Sequence, residues 1–259
     1  PLAIAAIAAA DTGLVVRNMS QAFKMASVLY WVLRERGEGR YLDAAGGYGM
    51  LTRLMRDLGF DFCRNPSDKN PFVAGPLKRS DCSLVSDGAA ALVISKAPVA
   101  GARVPAVRWK SRTQVNEYLP LSRRDPTRFE GAAMAWHKGL DAAGVSLQDL
   151  SFVETHDCFT VAELLEYEAM GLAPHGQGAR VILDGVTRID GALPVNPSGG
   201  LKSRGHPIGA TGVSQHVMAA MQLTGEAGDM QLPNARLGAV FNMGGAAVAN
   251  YLSVLERAA

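Results

Sequence analysis

The chain has 259 residues and a formal net charge of +2, so charge gives no argument for a nucleic-acid partner. Apolar content is ordinary for a globular protein, and no apolar stretch is long enough to span a membrane, because Asp11 and Arg17 interrupt the apolar start. The three cysteines, Cys63, Cys82 and Cys158, have no metal-type spacing, from which we expect no metal site, no disulfide framework and a reducing cytoplasm.

The N-terminal part predicts a helix followed by a strand–turn–helix unit. Apolar residues at helical spacing indicate an amphipathic helix over residues 20–36. Residues 40–58 place a short apolar strand before a glycine turn and a second helix, which is the shape of a nucleotide-type loop. Over about residues 20–66 the sequence resembles motif I of class I S-adenosylmethionine-dependent methyltransferases. That resemblance implies cofactor contacts from Asp43, Gly46, Gly47 and Gly49. The alternative is a strand, turn and helix that bind no ligand.

From residue 92 onwards the chain predicts strands that alternate with helices. The predicted strands are residues 92–95, 104–109, 150–154, 239–241 and 249–255. The predicted helices are residues 126–144, residues 161–170 and a helix that follows residue 212 and ends near Gly225. Asp125 is the expected N-cap of the first of these helices, and Gly144 its stop signal. Residues 172–194 are expected to be an irregular surface excursion. The alternation predicts layered α/β structure with helices covering a sheet.

Residues 195–216 surround His206 with glycines and two prolines. Glycine lets a backbone turn sharply or approach a ligand closely, and Pro207 fixes φ directly after the histidine. A histidine held in this way suits a general base or an oxyanion donor. The alternative is a glycine-rich turn with a purely structural histidine.

The residues Gly-Gly-Leu-Lys-Ser-Arg-Gly-His-Pro-Ile-Gly-Ala-Thr-Gly at 199–212 resemble the histidine loop of thiolases, especially their sterol-carrier-protein-like branch. The resemblance implies that His206 helps to activate a nucleophilic cysteine and to form an oxyanion hole. His-Asp-Cys-Phe at 156–159 stands where many thiolases have Asn-Glu-Ala-Phe. It implies that His156 helps to hold a catalytic water or the substrate oxygen. We expect Cys158 to be a packing residue, because thiol reactivity needs an activating environment.

Two further segments extend this resemblance. Residues 81–91 are similar to the segment that closes the thiolase N-terminal half, which implies that Ser83 contacts the pantetheine arm of coenzyme A. Residues 242–247 resemble the thiolase C-terminal active-site loop, with Asn242 in place of a second cysteine that acts as acid and base in that family. The resemblance implies that the Gly244 N–H helps to form an oxyanion hole. The resemblance also implies coenzyme A contacts from Ser198, Gly199 and Gly205.

The thiolase resemblance covers residues 70–259 and lacks one part of the site. No residue of this chain matches the loop that carries the family's nucleophilic cysteine. We therefore expect an incomplete thiolase N-terminal half at 1–100, containing the methyltransferase-like segment, and a thiolase C-terminal domain at 101–259. The predicted fold class is α/β, a thiolase-like layered α/β/α with an intact C-terminal half and a truncated or interrupted N-terminal half.

These observations support one main functional hypothesis, a thiolase-type acyl-CoA acyltransferase acting on thioesters and C–C bonds. The absent nucleophile leaves a non-catalytic acyl-CoA- or lipid-binding module as the alternative, with a methyltransferase fragment as a third. Coenzyme A or acyl-CoA is then a substrate rather than a permanently bound cofactor. We expect a homo-oligomer, because a lone half exposes the face that a partner would cover.

Overall fold

A computed structural model describes residues 72–74, 77–84, 86–96 and 105–258 of the chain. The described part is built around a four-stranded sheet whose strands lie in the order β3-β6-β5-β4. These strands are β3 (Val107–Asn116), β4 (Phe152–Thr155), β5 (Leu237–Gly244) and β6 (Ala249–Arg257). β6 runs antiparallel to both β3 and β5, whereas β4 runs parallel to β5. A separate antiparallel pair joins β1 (Phe72–Ala74) to β2 (Leu77–Lys78).

Five α-helices accompany the sheet in the described residues. They are α1 (Glu130–Ala143), α2 (Thr160–Ala169), α3 (Gly178–Leu183), α4 (Gly200–Arg204) and α5 (Thr211–Thr224). Short 3₁₀ helices cover Arg79–Asp81, Leu121–Arg123, Leu147–Asp149 and Gly228–Met230. Within this part of the chain, no helix has both the length and the apolar character needed to cross a membrane.

Helices α1 and α5 pack on opposite faces of the sheet. Trp136 of α1 meets Phe241 of β5 edge to face, with the ring centroids 5.1 Å apart. The next residue back, Val240, packs in a separate cluster with Ala219 and Leu223 of α5. Because successive side chains of a strand point to opposite faces, the two helices form layers on the two sides of the sheet. The predicted layered α/β architecture is confirmed.

The start of α1 differs from the prediction. Asp125 does not cap the helix; its carboxylate instead accepts hydrogen bonds from the backbone N–H and hydroxyl of Thr127, at 2.9 and 2.6 Å. This local turn competes with helical structure. Phe129 then takes a left-handed conformation, with φ of 47°, and buries its ring, so the helix begins at Glu130. Its end is as predicted, since Gly144 adopts the left-handed C-cap conformation with φ of 65°.

One predicted strand was wrong, and another exists with different bounds. Residues 92–95 form no strand, and Val93 and Ile94 are 95% and 71% exposed. A strand needs a neighbour to pair with, and none of the described strands lies beside this segment. The strand predicted at residues 104–109 is Val107–Asn116 instead. This strand lies at the edge of the sheet, and its residues alternate between more and less buried positions. Its polar second half contains no run of apolar residues, so the sequence did not predict it as a strand.

The remaining predictions agree with the structure, are corrected by it, or concern residues that it does not describe. Helix α5 ends at Gly225, which is left-handed with φ of 80°. The excursion at residues 172–194 contains the short helix α3 and buries Val181 and Leu193 in the core, so it is more than a surface loop. The helix predicted at 20–36, the glycine turn at 40–58 and the methyltransferase-like segment lie outside the described residues, and the division into domains stays a prediction.

Candidate active site

The candidate site lies at the carboxyl ends of the parallel strands β4 and β5. Thr155, the last residue of β4, is paired with Phe241 of β5. The residues that follow them, His156 and Asn242, are therefore neighbours. Burial lowers the pKa of His156, and a hydrogen bond to the Asn242 side chain acts against that shift. Open α/β sheets place their binding sites at this end of the strands.

A second histidine closes on the first from the glycine-rich loop. The rings of His206 and His156 meet edge to face, with centroids 4.9 Å apart and planes at 84°. The sequence places them 50 positions apart, and the structure brings the two rings into contact, with His156 also beside Asn242. Three of the four predicted catalytic residues therefore form one cluster.

Hydrogen bonds hold both the backbone and the ring of His206. Its backbone N–H donates to the hydroxyl of Ser86 at 3.2 Å, and its Nδ1 lies 2.7 Å from the hydroxyl of Thr211, the first residue of α5. The Thr211 hydroxyl donates to the Pro207 carbonyl oxygen at 3.0 Å. A hydroxyl has one proton, so Thr211 accepts from Nδ1–H of a neutral His206. The other ring nitrogen, Nε2, then carries the lone pair that can accept a proton.

Burial keeps both histidines neutral near pH 7. Burial, with the positive charge that His206 can carry, lowers the pKa of His156 to about 4. Burial also lowers the pKa of the half-buried His206 below its ordinary value. Among the described residues, the buried Nδ1 of His156 has no hydrogen-bond partner. A buried polar atom without a hydrogen bond costs free energy. A ligand or water that bonded to this nitrogen would remove that cost.

Buried carboxylates behind the histidines organise the glycine-rich loop. Glu154 of β4 accepts from the backbone N–H and the hydroxyl of Ser198, at 3.1 and 2.6 Å. Asp157 accepts from the backbone N–H groups of Leu201 and Lys202, at 2.6 and 3.2 Å. Burial raises the pKa of both carboxyl groups, and Arg204 lies close enough to oppose the rise. The loop is thus held by hydrogen bonds that it donates to acids within and just after β4.

Two further acids support the end of β4 itself. Glu166 accepts from the Thr155 hydroxyl at 2.5 Å and from the His156 backbone N–H at 3.3 Å, and burial raises its pKa well above the ordinary value. Glu163 accepts from the Tyr167 hydroxyl at 2.7 Å and the Asn196 amide at 3.3 Å. Sequence reasoning missed all four carboxylates. They could have been found as acidic residues in or next to otherwise apolar segments, since an acid that is buried almost always has a partner.

The predicted coenzyme A residues lie around this cluster. Ser83 donates its backbone N–H to the Cys158 carbonyl oxygen at 2.7 Å, two residues from His156. Gly199 and Gly205 flank α4 with φ of 89° and 87°, values that favour glycine. The buried Ser198 hydroxyl is already used by Glu154. The ligand contacts of these four residues remain predictions.

The Gly244 loop is a tight turn between β5 and β6. Val248 donates to the Gly244 carbonyl oxygen at 3.0 Å, and the three residues between them, Gly245, Ala246 and Ala247, all have positive φ. Two consecutive alanines in this region are strained, and such strain is often found at functional sites. Gly244 lies two residues beyond Asn242 on the same strand, so its N–H belongs to the same end of the sheet. The oxyanion role of that N–H stays a prediction.

Cys158 does not have the character of a nucleophile. Burial and the neighbouring Glu166 raise the pKa of its thiol to about 12. It is therefore a neutral thiol at pH 7, in agreement with the packing role expected from the sequence.

Two cavities lie near the sheet, and one adjoins the site. A cavity of about 460 Å³ opens beside Asn242, with a lining that includes Arg112, His216, Val240 and Ser253. A larger one of about 630 Å³ is lined by Asn234, Arg236 and Glu256 among others, at the opposite end of β5 and β6. Asn242 is the one predicted catalytic residue that lines the smaller cavity, and its histidine is His216 rather than His156 or His206.

The sequence model described as Thiolase C-terminal domain-like matches residues 113–257. This chain belongs to the thiolase family. The match contains the histidines, Asn242 and the Gly244 turn. It also contains all four strands of the main sheet except the first residues of β3.

Curated thiolase relatives support the same conclusion. The chain is 43% identical over 175 residues to an acetyl-CoA acetyltransferase of Methanothermobacter thermautotrophicus, covering 67% of this chain and 46% of that protein. It is 38% identical over 171 residues to sterol carrier protein 2 of Homo sapiens, covering 63% of this chain and 31% of that protein. The chain thus spans less than half the length of these relatives.

A solved structure supports the fold. The Ltp2-ChsH2(DUF35) aldolase superposes with a TM-score of 0.63 and covers 98% of this chain and 62% of that chain. Sequence identity is 18%, so this similarity concerns the architecture alone.

Proposed function

We propose that this thiolase chain carries the proton-transfer and oxyanion-binding part of an acyl-CoA acyltransferase site. The observation that carries the proposal is the edge-to-face contact of two neutral histidines, His156 and His206, beside Asn242. A neutral imidazole with its lone pair on Nε2 is the form that accepts a proton from a thiol. Thioester and C–C bond chemistry on acyl-CoA needs such a base together with oxyanion donors.

The proposed step transfers an acyl group to a thiol. Nε2 of His206 takes the thiol proton, and the thiolate attacks the thioester carbonyl. The Gly244 N–H suits the oxyanion that forms. The C–S bond to coenzyme A then breaks, and the departing thiolate takes the proton back from His206, so atoms and charges balance. Coenzyme A and acyl-CoA are substrates here, and no permanently bound cofactor is required.

The identity of the attacking thiol is the direct test. The chain is incubated with acetyl-CoA at neutral pH and analysed by intact-mass and peptide mass spectrometry, beside a His206→Asn variant. An acetyl group on one cysteine that is lost in the variant supports the acyltransferase. An adduct that persists unchanged in His206→Asn contradicts the role of this histidine.

A second candidate is a non-catalytic acyl-CoA- or lipid-binding module. It is favoured by Asn242, which stands in the place of the family's acid/base cysteine. The cavity of about 460 Å³ has the size of a small-molecule pocket. One relative, 36% identical over 175 residues, is named non-specific lipid-transfer protein-like 2 of Caenorhabditis elegans.

Isothermal titration separates the two candidates. Binding of coenzyme A or acetyl-CoA without any covalent adduct supports the binding module. Absence of heat at millimolar ligand would reject both. A methyltransferase fragment, the third possibility, predicts saturable binding of labelled S-adenosylmethionine that S-adenosylhomocysteine displaces.

We also propose that the chain acts as a homo-oligomer in a reducing cytoplasm. Val93 and Ile94 are exposed apolar side chains of the kind that an interface covers. Size-exclusion chromatography with light scattering tests the assembly, and a monomeric mass contradicts it.

A further inference from the structure

Lys202 joins three segments that meet at the candidate site. Its backbone N–H donates to the carboxylate of Asp157 at 3.2 Å, and Asp157 directly follows His156 in the chain. Its Nζ donates to the carbonyl oxygens of Ser80 and Cys82, the latter at 2.6 Å. One residue of the glycine-rich loop therefore contacts both the end of β4 and the segment that precedes Ser83.

The two carbonyl acceptors explain why a lysine suits this position. They lie within and directly after the 3₁₀ helix Arg79–Asp81, whose last carbonyls have no partner inside so short a helix. An ammonium group has three donors and is favoured at the negative end of a helix. Burial lowers the pKa of the half-buried Lys202, and the nearby Asp157 and Asp81 carboxylates act against this change.

The segment that Lys202 contacts also bonds to both of the loops that carry the histidines. Beyond Cys82, Ser83 donates its N–H to the Cys158 carbonyl oxygen at 2.7 Å. Three residues later, the Ser86 hydroxyl accepts the backbone N–H of His206 at 3.2 Å. Thr160 adds a hydrogen bond from its hydroxyl to Asp81 at 3.2 Å. Residues 80–84 and 86, which we name the 80s segment, thus bond to the two loops that carry His156 and His206.

We propose that Lys202 is a positioning residue that fixes the 80s segment against the histidine loops and so presents Ser83 to the pantetheine arm of coenzyme A. The ligand part of this inference rests on the proposed function, whereas the structural part does not. Lys202 touches the backbone of the segment rather than the reacting atoms, so its effect is on ligand affinity and on segment order.

Hydrogen–deuterium exchange on the complete chain tests the structural part. Lys202→Met keeps the aliphatic stem and removes the donors, while Lys138→Met removes an exposed lysine of α1 as the matched control. We expect amide exchange in peptides covering the 80s segment to rise about tenfold in Lys202→Met, with α1 unchanged. Unchanged exchange in the 80s segment overturns the inference, and so does an equal rise over the whole chain.

Coenzyme A titration tests the ligand part. We expect the Kd of coenzyme A to rise about tenfold in Lys202→Met, to recover to within about threefold of wild type in Lys202→Arg and to stay unchanged in Lys138→Met. A Kd that is unchanged in Lys202→Met overturns this part. If the wild-type chain binds no coenzyme A, the proposed function fails, while the exchange measurement still decides whether Lys202 orders the segment.

Discussion

The imidazole of His206 meets that of His156 edge to face, with centroids 4.9 Å apart, although the two residues belong to different segments of the chain. Each ring is placed by neighbours of a different kind. His156 follows a buried strand and lies beside the Asn242 amide, whereas His206 is held by the Ser86 and Thr211 hydroxyls.

His156 is expected to stay neutral down to a pH of about 4, because burial and the adjacent His206 lower its pKa. NMR titration of the ring measures this value. Asn242→Ala removes the hydrogen bond that favours the charged ring and lowers the pKa further, whereas His206→Ala removes a competing positive charge and raises it. A wild-type His156 that titrates near 6.5 contradicts the burial seen in the structure.

The same shift makes stability depend on pH. The folded pKa lies below the ordinary 6.5, so the unfolded chain takes up this proton first as pH falls. The contribution of His156 is fully present above pH 6.5 and is lost between pH 6.5 and about 4, at a cost of about 3 kcal/mol at most. Urea unfolding of wild type and His156→Asn at several pH values measures it. A difference between the two proteins that is constant with pH argues against it.

Thr211→Val is expected to lower any acyl-transfer rate about 10- to 100-fold by removing the oxygen that accepts from His206 Nδ1. Valine has nearly the same shape, so the fold should change little. Thr211→Ser keeps the hydroxyl and is the matched control, expected to remain within about threefold of wild type. Steady-state rates in an active preparation provide the measurement. Equal losses in both variants would show that packing, not the hydroxyl, matters.

Glu163→Gln is expected to stabilise the protein at pH 8 and to have little effect at pH 5. Burial and the negative Asp157 raise the pKa of Glu163 to about 7, so its contribution is present below pH 4.5 and is lost as pH rises through about 7. Both donors to Glu163, Tyr167 and Asn196, bond the same oxygen, Oε1, which the glutamine carbonyl can replace.

The expected gain at pH 8 is about 1–3 kcal/mol in the free energy of unfolding. Urea unfolding at the two pH values measures it, with Glu226→Gln as a control for loss of one exposed negative charge. A gain of equal size at pH 5 and pH 8 would mean that ionisation of Glu163 is not the cause.

Ala246→Gly is expected to stabilise the protein by about 0.5–1 kcal/mol. Ala246 is exposed and has φ of 53°, a conformation that glycine adopts without strain. Ala142→Gly, at an exposed position near the end of α1, is the control with the opposite sign and should cost about 0.5–1 kcal/mol. Thermal unfolding compares them. Destabilisation by Ala246→Gly would show that the turn does not hold its strained conformation in solution.

Local sequence signals predicted the parts of the fold that depend on one residue's own backbone. Gly144 and Gly225 end helices because glycine adopts the left-handed conformation without strain, and both have positive φ in the structure. The prediction of a strand at residues 92–95 was wrong for the converse reason. Its composition suits a strand, but pairing needs a partner, and no sequence window shows whether a partner is present.

Motif resemblance named His206, His156 and Asn242 but not the groups that hold them. The carboxylates of Glu154, Asp157 and Glu166 were missed because their partners lie between 10 and 50 positions away along the chain. Lys202 was missed because its acceptors are backbone carbonyls, which have no signature in the sequence.

The sequence alone determined where the chain turns, since glycine and proline act through local backbone geometry, and its resemblance to thiolases named the candidate site residues. The tertiary structure determined the protonation states of the two histidines. His156 and His206 are neutral because the fold buries them against one another, and burial is a sum over contacts from distant parts of the chain. The parallel pairing of β4 with β5 then sets Asn242 beside His156.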